Sequence, residues 1–132
     1  MPSKEDVRDW SEAYRVAWET ADSAAAASLF SENGTYRSNI YEEPHRGRAG
    51  VEAYWISVTS VQSEVTVRMG EPVVEDNRAD VEFWTTMAIE GNPVTLAGCL
   101  LLTFDEEGLC VALREYWNLS DGTHLAPAGW GS

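Results

Sequence analysis

Apolar residues near the start of the chain recur at helical spacing. Val7, Trp10, Tyr14, Ala17, Trp18 and Ala21 fall on one stripe, which predicts a helix over about 4–21. Ser3 with Asp6 three residues on forms a loose capping box. An alanine-rich stretch after Asp22 predicts a short second helix over 23–30. Asn33-Gly34 reads as a turn, 35–38 as a short strand, and 39–46 as a loop interrupted by Pro44. Val51, Tyr54, Trp55 and Val58 predict a third helix over about 48–59. From Val61 onward the pattern is that of strands. Turn signals at Glu75-Asp76-Asn77, Glu90-Gly91-Asn92-Pro93 and Asp105-Glu106-Glu107-Gly108 mark off strands at about 63–74, 79–90, 94–104 and 109–119. Connections this short make an antiparallel meander, and the Gly/Pro-rich tail 120–132 reads as irregular. The expected fold class is therefore α+β: one domain over 1–132, with three N-terminal helices packed on a bent antiparallel sheet.

The faces of the last strands carry the functional signal. Leu109, Val111, Leu113, Glu115, Trp117 and Leu119 share one face, five apolar residues and one ionisable. Pairing Phe104 with Leu109 and Ile89 with Val94 across the turns gives three rows: Phe83–Leu100–Leu113, Thr85–Gly98–Glu115 and Met87–Leu96–Trp117. In that register Gly98 leaves space beside the Glu115 carboxylate. The opposite face mixes Trp84, Cys99, Leu101, Arg114 and Tyr116 with small polar residues. It is apolar enough to need a cover, and a second copy of the chain is the simplest one.

Composition narrows the options. Twenty-two acids against nine bases give a net charge of −13, which argues against nucleic acid and anionic membranes as partners. No apolar run approaches the roughly 18 residues of a membrane span. The opening MPSKEDVRDW lacks an apolar signal region, so a cytoplasmic location is expected. Cys99 and Cys110 fall about 13 Å apart along the sheet in this register, too far to bond. They and the widely separated His45 and His124 suggest no metal site, and no cofactor is expected.

Five stretches carry a resemblance: LFSENGTY (29–36), PHRGRAGVEAYW (44–55), EGNP (90–93), FDEEG (104–108) and REYW (114–117). In order and spacing the chain resembles the nuclear transport factor two-like superfamily, above all its SnoaL-like and ketosteroid isomerase-like members. The likeness runs without gaps from about Tyr14 to Trp55 and from about Val81 to Trp117. It implies a cone: a strongly bent sheet around helices, an apolar pocket at the open end, and frequent dimerisation through the convex face. It also implies roles. Tyr14 falls where the isomerases place the tyrosine that donates to the oxyanion, and Trp117 where they keep a pocket tryptophan. Ser38 replaces their aspartate base and Leu100 their protonated aspartate. Steroid isomerisation by the family mechanism is therefore not expected. Glu115 stands where the isomerases carry a small residue, as a relocated acid or base.

The candidate catalytic residues are thus Tyr14, Glu115 and His45, whose loop would border the cone mouth. Trp18, Tyr36, Ser38 and Trp55 are expected to line the pocket with Phe83, Thr85, Leu100 and Trp117. Each has a structural alternative. Tyr14 on a packed stripe is also a core tyrosine, Glu115 also the partner of an arginine such as Arg68, and His45 also a solvated loop residue. His124 and Trp130 either close the pocket or meet a partner. Three functions follow: a cofactor-free acid–base enzyme (isomerase, cyclase, dehydratase or hydrolase-like) acting on a small apolar, ring-bearing molecule; a non-catalytic binding module with the same pocket; or a dimeric assembly module.

Overall fold

The computed structural model describes residues 1–132. Three helices precede most of the sheet: α1 (Lys4–Glu19), α2 (Ser23–Ser28) and α3 (Gly47–Thr59). Seven strands follow the order β1 (Phe30–Arg37), β2 (His45–Arg46), β3 (Gln62–Met69), β4 (Val73–Glu75), β5 (Arg78–Ile89), β6 (Asn92–Phe104) and β7 (Cys110–Asp121). The predicted capping box closes at the start of α1: Asp6 N–H donates to Ser3 Oγ at 3.0 Å, and Ser3 N–H donates to the Asp6 carboxylate at 2.8 Å. Trp10, Tyr14, Ala17 and Trp18 are buried on the helical stripe.

The sheet runs β2-β1-β7-β6-β5-β3, with β4 also on β5. The β5–β6–β7 meander is antiparallel as expected. Two features differ from the expectation. The long first strand of the meander is broken at Gly70–Pro72 into β3 and β4. More important, β1 lies parallel to β7, pairing Tyr36 with Leu113 and Arg37 with Arg114. Asn33-Gly34 is not a turn between elements but part of an irregularity within β1, where the register shifts between Phe30 and Thr35. A Cβ on Gly34 would stand 2.9 Å from the Cys110 carbonyl oxygen, so only glycine lets the two backbones come this close.

Both hairpin registers are shifted by two residues from the expected ones. The β5–β6 turn has only two residues, Glu90 and Gly91, with φ of 50° and 84°, the primed geometry suited to strand twist. Ile89 therefore pairs with Asn92 rather than Val94. At β6–β7, Asp105 Oδ1 accepts from the N–H groups of Glu107 and Leu109. That turn is one residue longer, and a bulge between Thr103 and Phe104 adds another. A slip of two keeps every residue on its face but changes the rows, which become Val81–Leu100–Glu115, Phe83–Gly98–Trp117 and Thr85–Leu96–Leu119. The cysteines move with the register, to Cys99 opposite Tyr116 and Cys110 opposite Phe104, and both are free.

Gly98 therefore does not open space beside Glu115. A Cβ there would lie 2.2 Å from the Tyr116 carbonyl oxygen and 2.8 Å from Phe83 Cζ, so the Phe83 ring already fills the gap. Gly98→Ala should cost about 3 kcal/mol through this overpacking, read as a lower urea midpoint at unchanged slope. A midpoint equal to that of the native chain would show that the strand yields without penalty.

The convex face is partly covered by the chain's own tail. Trp130 packs edge-on against Trp84 at 5.9 Å, and the Arg68 guanidinium lies 4.8 Å from the Trp130 ring centre. Trp84 Nε1 donates to the His124 carbonyl, and Glu71 N–H donates to the Gly131 carbonyl. His124 and Trp130 thus lie against the sheet's outer side, away from the cone mouth.

Candidate functional site

The parallel β1–β7 pair creates the site. Tyr36 on β1 comes beside Glu115 on β7, and Tyr14 reaches them from α1. Tyr36 Oη donates to Glu115 Oε1 at 2.5 Å, and the Tyr14 and Tyr36 hydroxyls are 3.2 Å apart. With Tyr36 donating to the carboxylate, its oxygen is free to accept the Tyr14 proton. The three groups thus form one directed chain, Tyr14 to Tyr36 to Glu115, when the acid is ionised.

Glu115 is 7 % exposed and has no cation partner. Arg68, the alternative partner, is on the other face against Trp130. Burial therefore pushes the Glu115 carboxyl up to about 7, with the Tyr36 hydrogen bond opposing the shift. Tyr14 and Tyr36 are driven well above the ordinary phenol range, first by burial and then by the Glu115 charge. Tyr54 is pushed up to about 12 for the same two reasons.

Glu115 stands on the wall between two chambers. The inner one, about 60 Å³, is enclosed by aromatic side chains, among them Tyr14, Trp18, Tyr36 and Trp55. The outer one, about 310 Å³, has apolar walls from Met87, Ile89, Leu96, Trp117 and Leu119, and a polar rim at Ser38, Asn39 and Glu42. Tyr54, Gln62, Leu96 and Glu115 border both. The mouth is braced where Trp117 Nε1 donates to the Ser38 carbonyl at 2.6 Å and where Arg37 Nη1 donates to the Glu42 carbonyl. Larger hollows of 420 and 450 Å³ lie beside the Asp105–Gly108 turn and along Glu75–Asp80. They are shallow grooves bordered by acidic turns, and neither contains a buried ionisable group.

Of the residues singled out in the sequence, Tyr14, Trp18, Tyr36, Trp55 and Glu115 meet at the inner chamber, and Ser38 and Trp117 at the outer one. Phe83, Thr85 and Leu100 border neither. The register shift sets Phe83 into the Gly98 gap and Val81 on the row of Glu115, leaving all three in the packed interior. His45 also misses both chambers. It pairs with Tyr36 in β2 and stacks behind Tyr54, ring centres 4.4 Å apart, so it holds Tyr54 rather than reaching the cavity. Two polar residues that border both chambers were not among the candidates. The sequence pattern puts Tyr54 among the apolar residues of the third helix, and only its hydroxyl marks it as something more. Gln62 gave no signal, because the irregularity between Ser63 and Thr66 breaks the alternation that would aim it inward.

A strongly bent, unclosed seven-stranded sheet with three helices is the cone of the nuclear transport factor two-like superfamily. Within it the chain belongs to the SnoaL-like domain family, whose model matches residues 8–113. No curated protein matches the chain in sequence. Among solved structures it is similar to SalBIII, an epoxide hydrolase/cyclase-like enzyme described in pyran ring formation in the polyether salinomycin. That likeness has a TM-score of 0.79 and 19% identity over 92% of this chain and 99% of SalBIII. It is also similar to a hypothetical protein with a ketosteroid isomerase-like fold from Catenulispora acidiphila DSM 44928, solved with trimethylamine. There the TM-score is 0.74 with 19% identity, over 81% of this chain and 83% of that one.

Proposed function

We propose that the cone takes up a small, largely apolar, ring-bearing molecule and that Glu115 acts on it as a general acid or base without a cofactor. The observation that carries this reading is a carboxyl group buried without a cation, poised near neutral pH by burial, on the wall of an open apolar cavity. Such a group exchanges a proton readily at physiological pH. Glu115 Oε1 is held by Tyr36, so Oε2 is the oxygen available to a ligand. With Glu115 ionised, Tyr14 has its proton committed to Tyr36, so it supports Glu115 through the chain rather than donating to substrate. Ring-forming chemistry of the kind described for SalBIII suits this arrangement, because one carboxyl can protonate an epoxide oxygen or deprotonate the attacking hydroxyl. The test is a panel of epoxy alcohols incubated with the protein and with Glu115→Gln, the products resolved by chiral chromatography. Turnover by the native chain and none by the variant is expected. Equal turnover by both would remove Glu115 from the chemistry.

Two free thiols suit a reducing compartment such as the cytoplasm, where we place the reaction. We also infer a homodimer through the part of the convex face that the tail leaves open. Tyr116 is 42 % exposed there, beside the half-buried Ala97, Cys99 and Leu101. Sedimentation at micromolar concentration should show a species of twice the 14.6 kDa chain mass, and Tyr116→Glu should return it to the single-chain mass. A single-chain species in both would discard the dimer.

A further inference from the structure

Gln62 borders both chambers, and its side-chain amide is oriented by a neighbour that leaves no choice. Trp18 Nε1 donates to Gln62 Oε1 at 2.9 Å. An indole N–H is a donor only, so the amide oxygen must face Trp18 and the amino group must face away from it. That amino group has no hydrogen-bond partner in the chain. A second donor stands on the same inner wall: Trp55 is 2 % exposed, and its Nε1 is buried with no partner. Buried N–H groups left unpaired are costly and rare. The Tyr14 and Tyr36 hydroxyl protons, by contrast, are already committed. Tyr14 donates to Tyr36 and Tyr36 to Glu115 when the acid is ionised. The phenol of Tyr54, which borders both chambers, lies outside this chain of hydrogen bonds and is a hydroxyl donor on the shared wall.

The two walls therefore carry the carboxyl groups of Glu115 and, at the rim, Glu42, the hydroxyls of Ser38 and Tyr54, and the spare N–H donors of Gln62, Trp55 and, at the rim, Asn39, with no lysine or arginine; of the spare N–H donors only Gln62 borders both chambers. An anionic ligand would meet Glu115 and Glu42 with no compensating cation, in a chain of net charge −13. A pure hydrocarbon would leave the Gln62 and Trp55 donors unpaired. We propose that Gln62 is the hydrogen-bond donor that anchors a neutral acceptor oxygen of the ligand. The site then selects a molecule that carries such an oxygen, as a ketone or cyclic ether does, against an apolar ring body. The apolar walls of the outer chamber take the ring, and Gln62 holds the oxygen within reach of Glu115 Oε2. This rests on the reading of the cavity as a small-molecule site, and Gln62 would be the residue that orients the ligand there, with Trp18 positioning it.

The experiment compares two probes that differ by one oxygen, 1-indanone and indane, titrated into the full chain by ligand-observed NMR. The native chain should bind the ketone about tenfold more tightly than the hydrocarbon, the effect of one net hydrogen bond. Gln62→Met should bring the ratio to within about twofold while leaving indane affinity nearly unchanged. Gln62→Glu is the same size and can still accept from Trp18, so it serves if the methionine variant does not fold. It should reverse the preference, because it offers the ketone only a second oxygen. Trp18→Phe releases the amide and should lower the ratio without abolishing indane binding. A ketone preference that survives both Gln62 variants overturns the proposal. Equal binding of both probes to the native chain, blocked by Leu96→Trp, also overturns it but leaves the small-molecule reading standing. No saturable binding of either probe overturns both.

Discussion

Glu115→Gln should gain about 3 kcal/mol of stability over the native chain between pH 4.5 and pH 7. The unfolded chain releases the Glu115 proton near the ordinary value of 4.5, whereas the folded protein holds it up to about 7. Between these limits the folded state binds one more proton than the unfolded state. Stability then falls as pH rises. The contribution is fully present below about 4.5 and is lost as pH passes through 7. At 1.36 kcal/mol per pKa unit the span is about 3 kcal/mol. The glutamine side chain can accept the same hydrogen bond from Tyr36 and does not titrate, so the difference between the two proteins isolates this one group. Urea unfolding of both at half-unit steps from pH 4 to pH 8.5 reads it. The gap should widen to pH 7 and then level off. A gap that is flat with pH would mean that the carboxyl is solvated. A gap of the opposite slope would mean that a cation holds it ionised.

The same pair of residues shows what a sequence alone discloses about this molecule. Glu115 was legible as an inward acid because strand parity has a period of two, and both hairpin slips were of two residues. Tyr14 was legible because an amphipathic stripe gives a helix its inner face without knowledge of what it packs against. The row neighbours were not legible. They depend on whether Glu90 accepts a positive φ and whether a bulge sits before Phe104, and composition leaves both open. The contact that defines the site was further still from reach. Tyr36 meets Glu115 through a parallel pairing of strands 79 residues apart in sequence, and no local turn announces it. Gln62 was hidden for a related reason, since its inward aim follows an irregularity in β3.

An uncompensated acid that weakens the fold at neutral pH is what a site optimised for chemistry rather than stability would carry. If so, its titration should govern the rate. On whichever epoxy alcohol is turned over, Glu115→Gln should lower kcat/KM by roughly 10²- to 10⁴-fold, the usual share of one general acid or base. The native profile should bend near pH 7, where Glu115 titrates. A rate falling above the bend would mark it as the acid, a rate falling below it as the base. Tyr36→Phe separates catalysis from mere packing. It removes the hydrogen bond that favours the charged carboxylate, so the bend should move to higher pH while the maximal rate falls far less than in Glu115→Gln. A structural Glu115 would give a different result: Tyr36→Phe would change stability and leave the bend where it was. The Tyr14→Phe variant extends the test along the chain, because Tyr14 touches Glu115 only through the Tyr36 hydroxyl. Its bend should shift in the same direction and by less. An equal or larger shift would mean that Tyr14 contacts the ligand itself, as the isomerase resemblance implies, and that the directed chain rearranges on binding.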